Sequence, residues 1–358
     1  MTKEKENQKE IQNQNDNQNQ EKKQNKNGRK SIKKIVLIIL SCIILLALTA
    51  IISCYIFLEN KLNKINYVEI NKDDIAVNTD VAENLSSYRN IALLGLDSLN
   101  NSYSGCRSDA IMIVSLNNNT NDVKIVSVYR DTYLDISPKS ANSAFLDKIT
   151  HAYAYGEATQ TLTALNRNLD LNITEFATLN FSALIDAVDS IGGIDLYISE
   201  EEVQYKFSKN ITQAGTYHLN GTETLNYCSN LHTEGGDYKR TERMRTVLTK
   251  IFEKAKTLDA VELNKLVDAV FPHISTNITK DEIYSLIPNI AKYNVTDTIG
   301  WPYDVDADTS LGVWYGVPTH LIDDVSKLHY VLFGEENYEV SDTVKQISAE
   351  IEKKISGI

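Results

Sequence analysis

Residues 95–131 read GLDSLNNSYSGCRSDAIMIVSLNNNTNDVKIVSVYRD, in which apolar runs alternate with charged ends. The runs 110–116 and 123–128 have the length and the β-branched content of buried strands. The polar segment 117–122 between them is typical of a turn, and a further apolar run, 91–94, comes just before the stretch. We therefore predict three strands here, and the rest of the domain is built around them.

Charged residues stand at the ends of these predicted strands. Asp97 follows the first strand, Arg107 and Asp109 precede the second, and Arg130 and Asp131 follow the third. Carboxylates are ligands for a divalent cation, and arginine forks bind phosphate oxygens in pairs. Taken singly, each acid–base pair reads equally well as an exposed ion pair of little energetic value. The whole series at one sheet edge favours a site for phosphate and a cation.

The remainder of the outer part alternates helical and extended patterns. Such alternation predicts an α/β (α-β-α) fold, a mixed central sheet flanked by helices. Asp237 is predicted to be the N-cap of the helix that runs to about residue 257. The predicted helices are 148–155, 158–169, 181–193, 222–231, 237–257, 260–270 and 280–292, and the further strands are 175–180, 194–198, 215–219, 295–301 and 313–316.

The amino end of the chain has a different composition. Residues 1–34 are almost wholly Lys, Glu, Gln and Asn, which predicts a disordered tail. Residues 35–58 contain no charged side chain, and as a helix they extend for about 36 Å, enough to cross a membrane. Basic residues directly before this span predict a cytoplasmic amino terminus and an outer carboxyl domain. We predict a stalk over 59–87, a catalytic core over 88–257 and a completing region over 258–358.

Charge separates in the same way. The tail has ten basic and five acidic residues and therefore a net charge of +5. Since the whole chain has a net charge of −12, the outer part has a net charge of −17. A body that acidic repels nucleic acid, and we expect no nucleic-acid partner. Two cysteines of the outer part, Cys106 and Cys228, are able to form a disulfide only if their geometry permits it, which sequence leaves open.

Seven motifs in unbroken order give the outer part a family resemblance. The motifs are IALLGLDS (91–98), CRSDAIMIVSL (106–116), VSVYRDTYLDI (126–136), KITHAYAYG (148–156), DAVDSIGGIDLYI (186–198), GTYHLNGTETLNY (215–227) and GDYKRTERMR (236–245). With these motifs the outer part resembles the LytR-CpsA-Psr family of bacterial cell-envelope proteins, which share its single amino-terminal span.

The resemblance implies a membrane-anchored extracellular phosphotransferase, in a Gram-positive bacterium. Such an enzyme takes a glycopolymer from a polyprenyl pyrophosphate carrier and attaches it to peptidoglycan, releasing polyprenyl phosphate. It implies that Asp97 and Asp109 hold Mg²⁺ (or Mn²⁺) against the pyrophosphate. The chemistry agrees with independent reasoning, because phosphoryl transfer depends on positioning and charge neutralisation more than on a covalent nucleophile.

The resemblance also assigns roles to basic residues. Arg107 and Arg130 are expected to neutralise the phosphates, and Asp131 to align an arginine or assist removal of the acceptor proton. Lys148 is expected to bind substrate. Arg240 and Arg243, three residues apart on one helix, are expected to hold the same head group.

The sequence departs from the family pattern at several positions. Ser229 and Leu231 stand where the family has arginines that hold phosphate, Tyr129 replaces a proline, and Leu99 replaces an arginine. Loss of one preorganised charge donor commonly costs on the order of 10²–10³ in rate. The alternative function is therefore a non-catalytic polyprenyl-(pyro)phosphate-binding or envelope scaffold protein.

Overall fold

A computed structural model describes residues 45–98, 104–205, 208–309 and 312–356. The predicted disordered tail and the first ten residues of the predicted span lie outside these ranges, as does Leu99. The described part of the span is helix α1 (Leu45–Leu62), with a mean hydropathy of 1.5 and only 6% of its residues buried. It is long and apolar enough to cross a membrane. Residues 61–358 form a separate compact unit.

The centre of this unit is a mixed seven-stranded sheet with the order β1-β10-β7-β2-β3-β4-β11. The three predicted strands around residues 95–131 are its central members β2, β3 and β4, and the mixed α/β class is confirmed. The strands of the chain are β1 (Asn66–Tyr67), β2 (Tyr88–Leu96), β3 (Ser108–Asn117), β4 (Asp122–Val128), β5 (Tyr133–Asp135), β6 (Leu146–Lys148), β7 (Glu175–Asn180), β8 (Ile194–Ile198), β9 (Gly215–Leu219), β10 (Ser275–Thr276), β11 (Asn294–Trp301), β12 (Val305–Asp308) and β13 (Tyr315–Pro318).

Helices cover the sheet on both faces. The prediction of two helices meeting at Gly156 is matched by one kinked element, α3, with non-helical backbone at Gly156 and Glu157. The helices are α2 (Thr79–Asn84), α3 (His151–Leu169), α4 (Phe181–Ser190), α5 (Glu200–Gln204), α6 (Gly221–Ser229), α7 (Gly236–Ala255), α8 (Ala260–Val270), α9 (Lys280–Leu286), α10 (Leu321–Phe333) and α11 (Asp342–Ser356).

The apolar residues of the central strands divide between the two faces. Because successive side chains of a strand point to opposite sides, Ile111 and Ile113 of β3 join the buried cluster formed with α3, α10 and α11. Met112 lies on the other face, in the cluster that includes Leu248 of α7. A third cluster, around Val188, joins α4, α6 and α7 with the β8–β9 hairpin.

Strand directions bring the charged ends together. Strand β3 is antiparallel to both β2 and β4, so the carboxyl ends of β2 and β4 flank the amino end of β3. Asp97 lies just beyond Leu96, which is opposite Ser108, and Asp109 lies at the irregularity between Gly95 and Leu96. The predicted series of acids and bases is therefore gathered at one edge of the sheet.

The structure differs from the sequence prediction in three places. Helix α7 begins at Gly236 with Gly235 as its N-cap, so Asp237 is not the N-cap. Lys148, predicted to open a helix, ends strand β6. The segment predicted as a stalk contributes Ile75 and Leu85 to the main buried cluster, and Ala76 of this segment donates its N–H to Thr163 Oγ1 of α3 at 3.2 Å.

Candidate active site

Arg130 is the centre of a network of charged side chains at this edge. It follows β4, and its Nη1 donates to Asp109 Oδ2 at 2.9 Å. Its Nε lies 3.4 Å from Asp131 Oδ2 and 3.3 Å from Asp237 Oδ1, yet makes no hydrogen bond of normal geometry among the described residues. One guanidinium is thus surrounded by three carboxylates.

Lys148 is the second cation of the network. Its Nζ lies 2.8 Å from Asp131 Oδ1, so that Asp131 is held between Lys148 and Arg130. The hairpin β5–β6 presents Lys148 there, through the pairing of Tyr133 with Lys148. A β-hairpin that follows Arg130 directly along the chain therefore returns a second positive charge to the same carboxylate.

Arg240 is the third cation. Its Nη2 lies 2.8 Å from Asp237 Oδ1 and donates to the backbone oxygen of Asp109 at 2.8 Å. Its Nε is buried and makes no hydrogen bond among the described residues. The first turns of α7 are thereby attached to the amino end of β3.

Burial shapes the electrostatics of this network. Burial raises the pKa of Asp237, against the opposing effect of Arg240 and Arg130. Burial likewise lowers the pKa of Arg240, against the opposing effect of Asp237. For Arg130 burial acts to lower the pKa, but Asp109, Asp237 and Asp131 outweigh it and the pKa is raised. In this site the neighbouring opposite charges counteract the effect of burial on each side chain. An anion that enters the site is attracted by cations that are already desolvated.

Asp97 and Arg107 form a more exposed pair beside the network. Arg107 Nη2 lies 3.8 Å from Asp97 Oδ2, and the side chains are 53% and 48% exposed. Such a pair contributes little to stability, and both groups are accessible to a ligand. The structure places them at the predicted sheet edge but shows no direct contact with Arg130 or Arg240.

The two acids that the sequence predicts as magnesium ligands have contrasting environments. No cluster of three or more potential metal ligands occurs among the described residues, but Mg²⁺ commonly takes only one or two carboxylates and completes its shell with phosphates and water. Asp109 Oδ1 is buried and has no hydrogen-bond partner in the described part of the chain. Asp97 supplies an accessible carboxylate at the adjacent strand end.

Arg243 has a different environment from that of Arg240. Its Nη1 contacts Thr233 Oγ1 at 3.1 Å and Glu202 Oε1 at 3.4 Å, and its Nη2 donates to the backbone oxygen of Asn230. The structure therefore gathers Arg240 with Arg130 but places Arg243 among the residues that shape the α6–α7 connection. Its binding of the same head group stays a prediction.

The family departures lie at identifiable places. Ser229 and Leu231 lie at the end of α6 and just beyond it, and Leu231 is 44% exposed. Tyr129 packs edge-on against Tyr238 of α7, with ring centroids 4.4 Å apart.

Cys228 is a free, buried thiol, and burial raises its pKa to about 12. The Cys106–Cys228 disulfide that sequence left open is thus not formed.

Sequence reasoning missed Asp237 as a member of the network. The only sequence signal was its spacing of three residues from Arg240, which on a helix brings the two side chains together. The predicted strand at 313–316 overlaps β13, but its pairing with β12 was missed, as was its position beside the site, where Gly316 donates its N–H to the backbone oxygen of Asp131 at 3.0 Å.

Known proteins share this fold. The model of the LytR_cpsA_psr family matches residues 52–327. A polyisoprenyl-teichoic acid–peptidoglycan teichoic acid transferase, TagU of Bacillus cereus, is 29% identical over 228 residues, which cover 63% of this chain and 72% of TagU.

Solved structures give the same relationship. Protein gbs0355 from Streptococcus agalactiae is 25% identical and superposes with a TM-score of 0.60 over 73% of this chain and 93% of its own. The family protein YwtF (TagT), solved with bound octaprenyl pyrophosphate lipid, has a TM-score of 0.55 at 23% identity over 74% of this chain and 99% of its own, and shares the fold. The chain therefore belongs to the LytR-CpsA-Psr family.

Proposed function

We propose that this protein is a membrane-anchored extracellular phosphotransferase that moves a glycopolymer from a polyprenyl pyrophosphate carrier to peptidoglycan. The observation that carries the proposal is the convergence of Arg130, Arg240 and Lys148 on three carboxylates at one sheet edge. Similarity to TagU, whose name states transfer of teichoic acid to peptidoglycan, supports the same class of reaction.

The network suits a diphosphate because its cations are fixed before substrate arrives. Asp237 holds Arg130 and Arg240 within 3.3 and 2.8 Å of one oxygen, and both arginines keep a buried Nε without a hydrogen bond among the described residues. Preorganised donors in a water-poor site stabilise developing charge far better than solvated ones. In this proposal phosphate oxygens approach Arg130, whose side chain is 23% exposed, with Arg240 held beside it by Asp237.

The reaction exchanges one P–O bond for another. A peptidoglycan hydroxyl attacks the phosphorus that carries the glycan, and the bond from that phosphorus to the bridging oxygen breaks. Polyprenyl phosphate leaves with the bridging oxygen and its electron pair, while the hydroxyl proton passes to a carboxylate. Asp131, between Arg130 and Lys148, aligns Arg130 or accepts this proton.

Asp97 and Asp109 are the residues that would hold Mg²⁺ in this site. The ion, when bound, neutralises phosphate charge and helps to stabilise the leaving group. Arg107 lies beside Asp97 and binds the outer phosphate in the proposal. The helix α1 anchors the chain in the membrane, with its amino end in the cytoplasm and residues 61–358 outside.

Transfer in vitro tests the function directly. The full chain in detergent micelles is mixed with a polyprenyl diphosphate-linked glycan, peptidoglycan oligomers and Mg²⁺, and products are identified by mass spectrometry. We expect glycan joined to peptidoglycan by a phosphodiester, with one polyprenyl phosphate released per transfer. Absence of both products with several donor glycans would contradict the proposal.

A second candidate function is favoured by Ser229 and Leu231, which lack the positive charge expected there. In that case the protein binds the lipid diphosphate as a receptor or scaffold without turnover. Tight binding of the lipid-linked donor, together with no product in the presence of acceptor, would distinguish the receptor from the enzyme.

A further inference from the structure

The two tryptophans of the chain have contrasting environments. Trp301 is fully buried at the end of β11, whereas Trp314 is 38% exposed. Trp314 immediately precedes β13 of the β12–β13 hairpin, and Gly316 of that hairpin forms an isolated bridge with Thr132. An ideal Cβ on Gly316 would lie 3.4 Å from Trp314 Cη2 and 3.7 Å from the backbone oxygen of Asp131. The exposed indole is therefore held directly beside the charged network.

Lys148 connects the network with this aromatic residue. Its Nζ lies 2.8 Å from Asp131, 5.9 Å from the centroid of the Trp314 ring and 5.7 Å from that of Tyr315. Both rings are within the range of a cation–π contact. A group bound to Lys148 and Asp131 thus has an aromatic surface as its next neighbour.

Hydrogen-bonding groups continue from the aromatic surface. Tyr315 Oη donates to Asp147 Oδ1 at 3.3 Å, and His151 Nδ1 lies 2.8 Å from Asp147 Oδ2. The Tyr315 ring beside Lys148 is therefore followed by a carboxylate and an imidazole. Aromatic faces beside directional polar groups suit a ligand with one apolar face and a polar edge.

We propose that Trp314 is the platform for a pyranose ring attached to, or accepting, the transferred phosphate. This inference rests on the proposed function and names a sugar subsite within it. The C–H face of the sugar packs on the indole, and its hydroxyl groups reach Lys148, Asp147 and His151. The phosphate, one bond from the ring, lies at Arg130. The sugar thus lies at Trp314 and the phosphate lies beside it at Arg130, within one site.

The sugar has two possible sources, the glycan of the donor and the peptidoglycan acceptor. Trp314 fluorescence distinguishes them, because Trp301 is fully buried and contributes a constant background. Three probes are titrated into the full chain in micelles with Mg²⁺: farnesyl diphosphate, farnesyl diphosphate-linked N-acetylglucosamine, and chitotetraose added after farnesyl diphosphate. Acrylamide quenching is measured at each point, with Trp314→Phe as the background control.

We expect a sugar-bearing probe to protect Trp314 from acrylamide and farnesyl diphosphate alone to leave quenching unchanged. Protection by the linked sugar assigns the platform to the donor, and protection by chitotetraose assigns it to the acceptor. Protection by neither overturns the proposal. The fluorescence readout needs no turnover, so failure of the transferase function, seen as absent products, is distinguishable from failure of the sugar subsite.

A substitution separates a sugar platform from a merely supporting residue. Trp314→Ala is expected to raise the Kd of the protecting sugar probe about tenfold, the effect of losing one stacking contact. The Kd of farnesyl diphosphate should not change, and Trp314→Phe should retain most of the affinity. Val313→Ala, at the neighbouring exposed residue, is the matched control. Equal weakening of sugar-bearing and sugar-free probes would show that Trp314 acts only through Lys148 and would overturn the proposal.

Discussion

Arg130 Nε lies 3.3 Å from Asp237 Oδ1, which joins the end of β4 to the first turn of α7. The same carboxylate oxygen lies 2.8 Å from Arg240 Nη2. Asp237 therefore contacts both guanidinium groups, which belong to residues 110 positions apart in the sequence. This relationship joins the charged side chains into one network rather than a set of independent surface pairs.

The first prediction concerns the guanidinium of Arg130. Arg130→Lys keeps the charge but loses the fork that reaches Asp109, Asp131 and Asp237 together. We expect transfer to fall by about 10²–10³, the usual effect of removing one preorganised donor. Product formation by mass spectrometry measures the loss.

Arg89→Lys is the matched control for this substitution. Arg89 forms a two-bond pair with Glu175, at 2.7 and 3.1 Å, at the opposite end of β2. Both variants lose a half-buried fork, so each Tm should fall by on the order of 2–4 °C. Full transfer by Arg130→Lys, or equal loss of transfer by both variants, would show that Arg130 is structural.

The second prediction concerns the metal. Asp97→Asn removes an accessible carboxylate next to Asp109, so the Mg²⁺ concentration for half-maximal transfer should rise by about tenfold or more. Asp342→Asn, at a side chain that is 91% exposed, should leave it unchanged. An unaltered Mg²⁺ requirement in Asp97→Asn would exclude Asp97 as a ligand.

The third prediction concerns the two family departures in the α6–α7 connection. Ser229 and Leu231 are exposed, so arginines fit there without disturbing the core. The double variant Ser229→Arg/Leu231→Arg should raise transfer about tenfold or more by adding charge donors. Thr222→Arg/Asn226→Arg adds equal charge to exposed positions of α6 and should not. No gain in the first variant would mean that other residues of the site already hold the phosphate.

The fourth prediction concerns stability and pH. Burial raises the pKa of Asp324 to about 6, with Asp304 and Asp323 adding to the effect. A folded-state pKa above the unfolded value means that the folded state binds more protons, so stability is lost as pH rises from about 4 to about 6. Asp324→Asn should therefore be more stable than wild type at pH 8, by at most about 3 kcal/mol, and the gain should shrink at pH 5.

Urea unfolding at the two pH values measures this difference. Asp342→Asn is the control, since its side chain on α11 is 91% exposed. A gain for Asp324→Asn that is equal at pH 5 and pH 8 would contradict the proposed burial effect.

The sequence predicted the sheet well because its strands are governed by local patterns. Apolar runs with β-branched residues identify β3 and β4, and the charges at their ends follow directly. Asp237 escaped prediction because its role depends on α7 docking against β3, a contact between distant segments. Trp314 escaped because a short hairpin carries it, and only the folded chain brings that hairpin to Asp131.

The pairing of Arg243 shows a different limit. Its spacing from Arg240 predicts that the two side chains lie on one helix face and share a ligand. The partners of Arg243, however, come from the connection between α6 and α7. Thr233 and the backbone oxygen of Asn230 take its donors. Helical periodicity therefore places the two arginines on one side of α7, but the hydrogen-bond partners of each arginine depend on tertiary packing.

A crystal structure of the protein with a short-chain polyprenyl diphosphate and Mg²⁺ tests the central claim most directly. We predict phosphate oxygens within hydrogen-bond distance of Arg130 and Arg240, with Mg²⁺ between the diphosphate and Asp97 or Asp109. A diphosphate bound away from this sheet edge, with Arg130 and Arg240 still contacting only carboxylates and backbone, would contradict it.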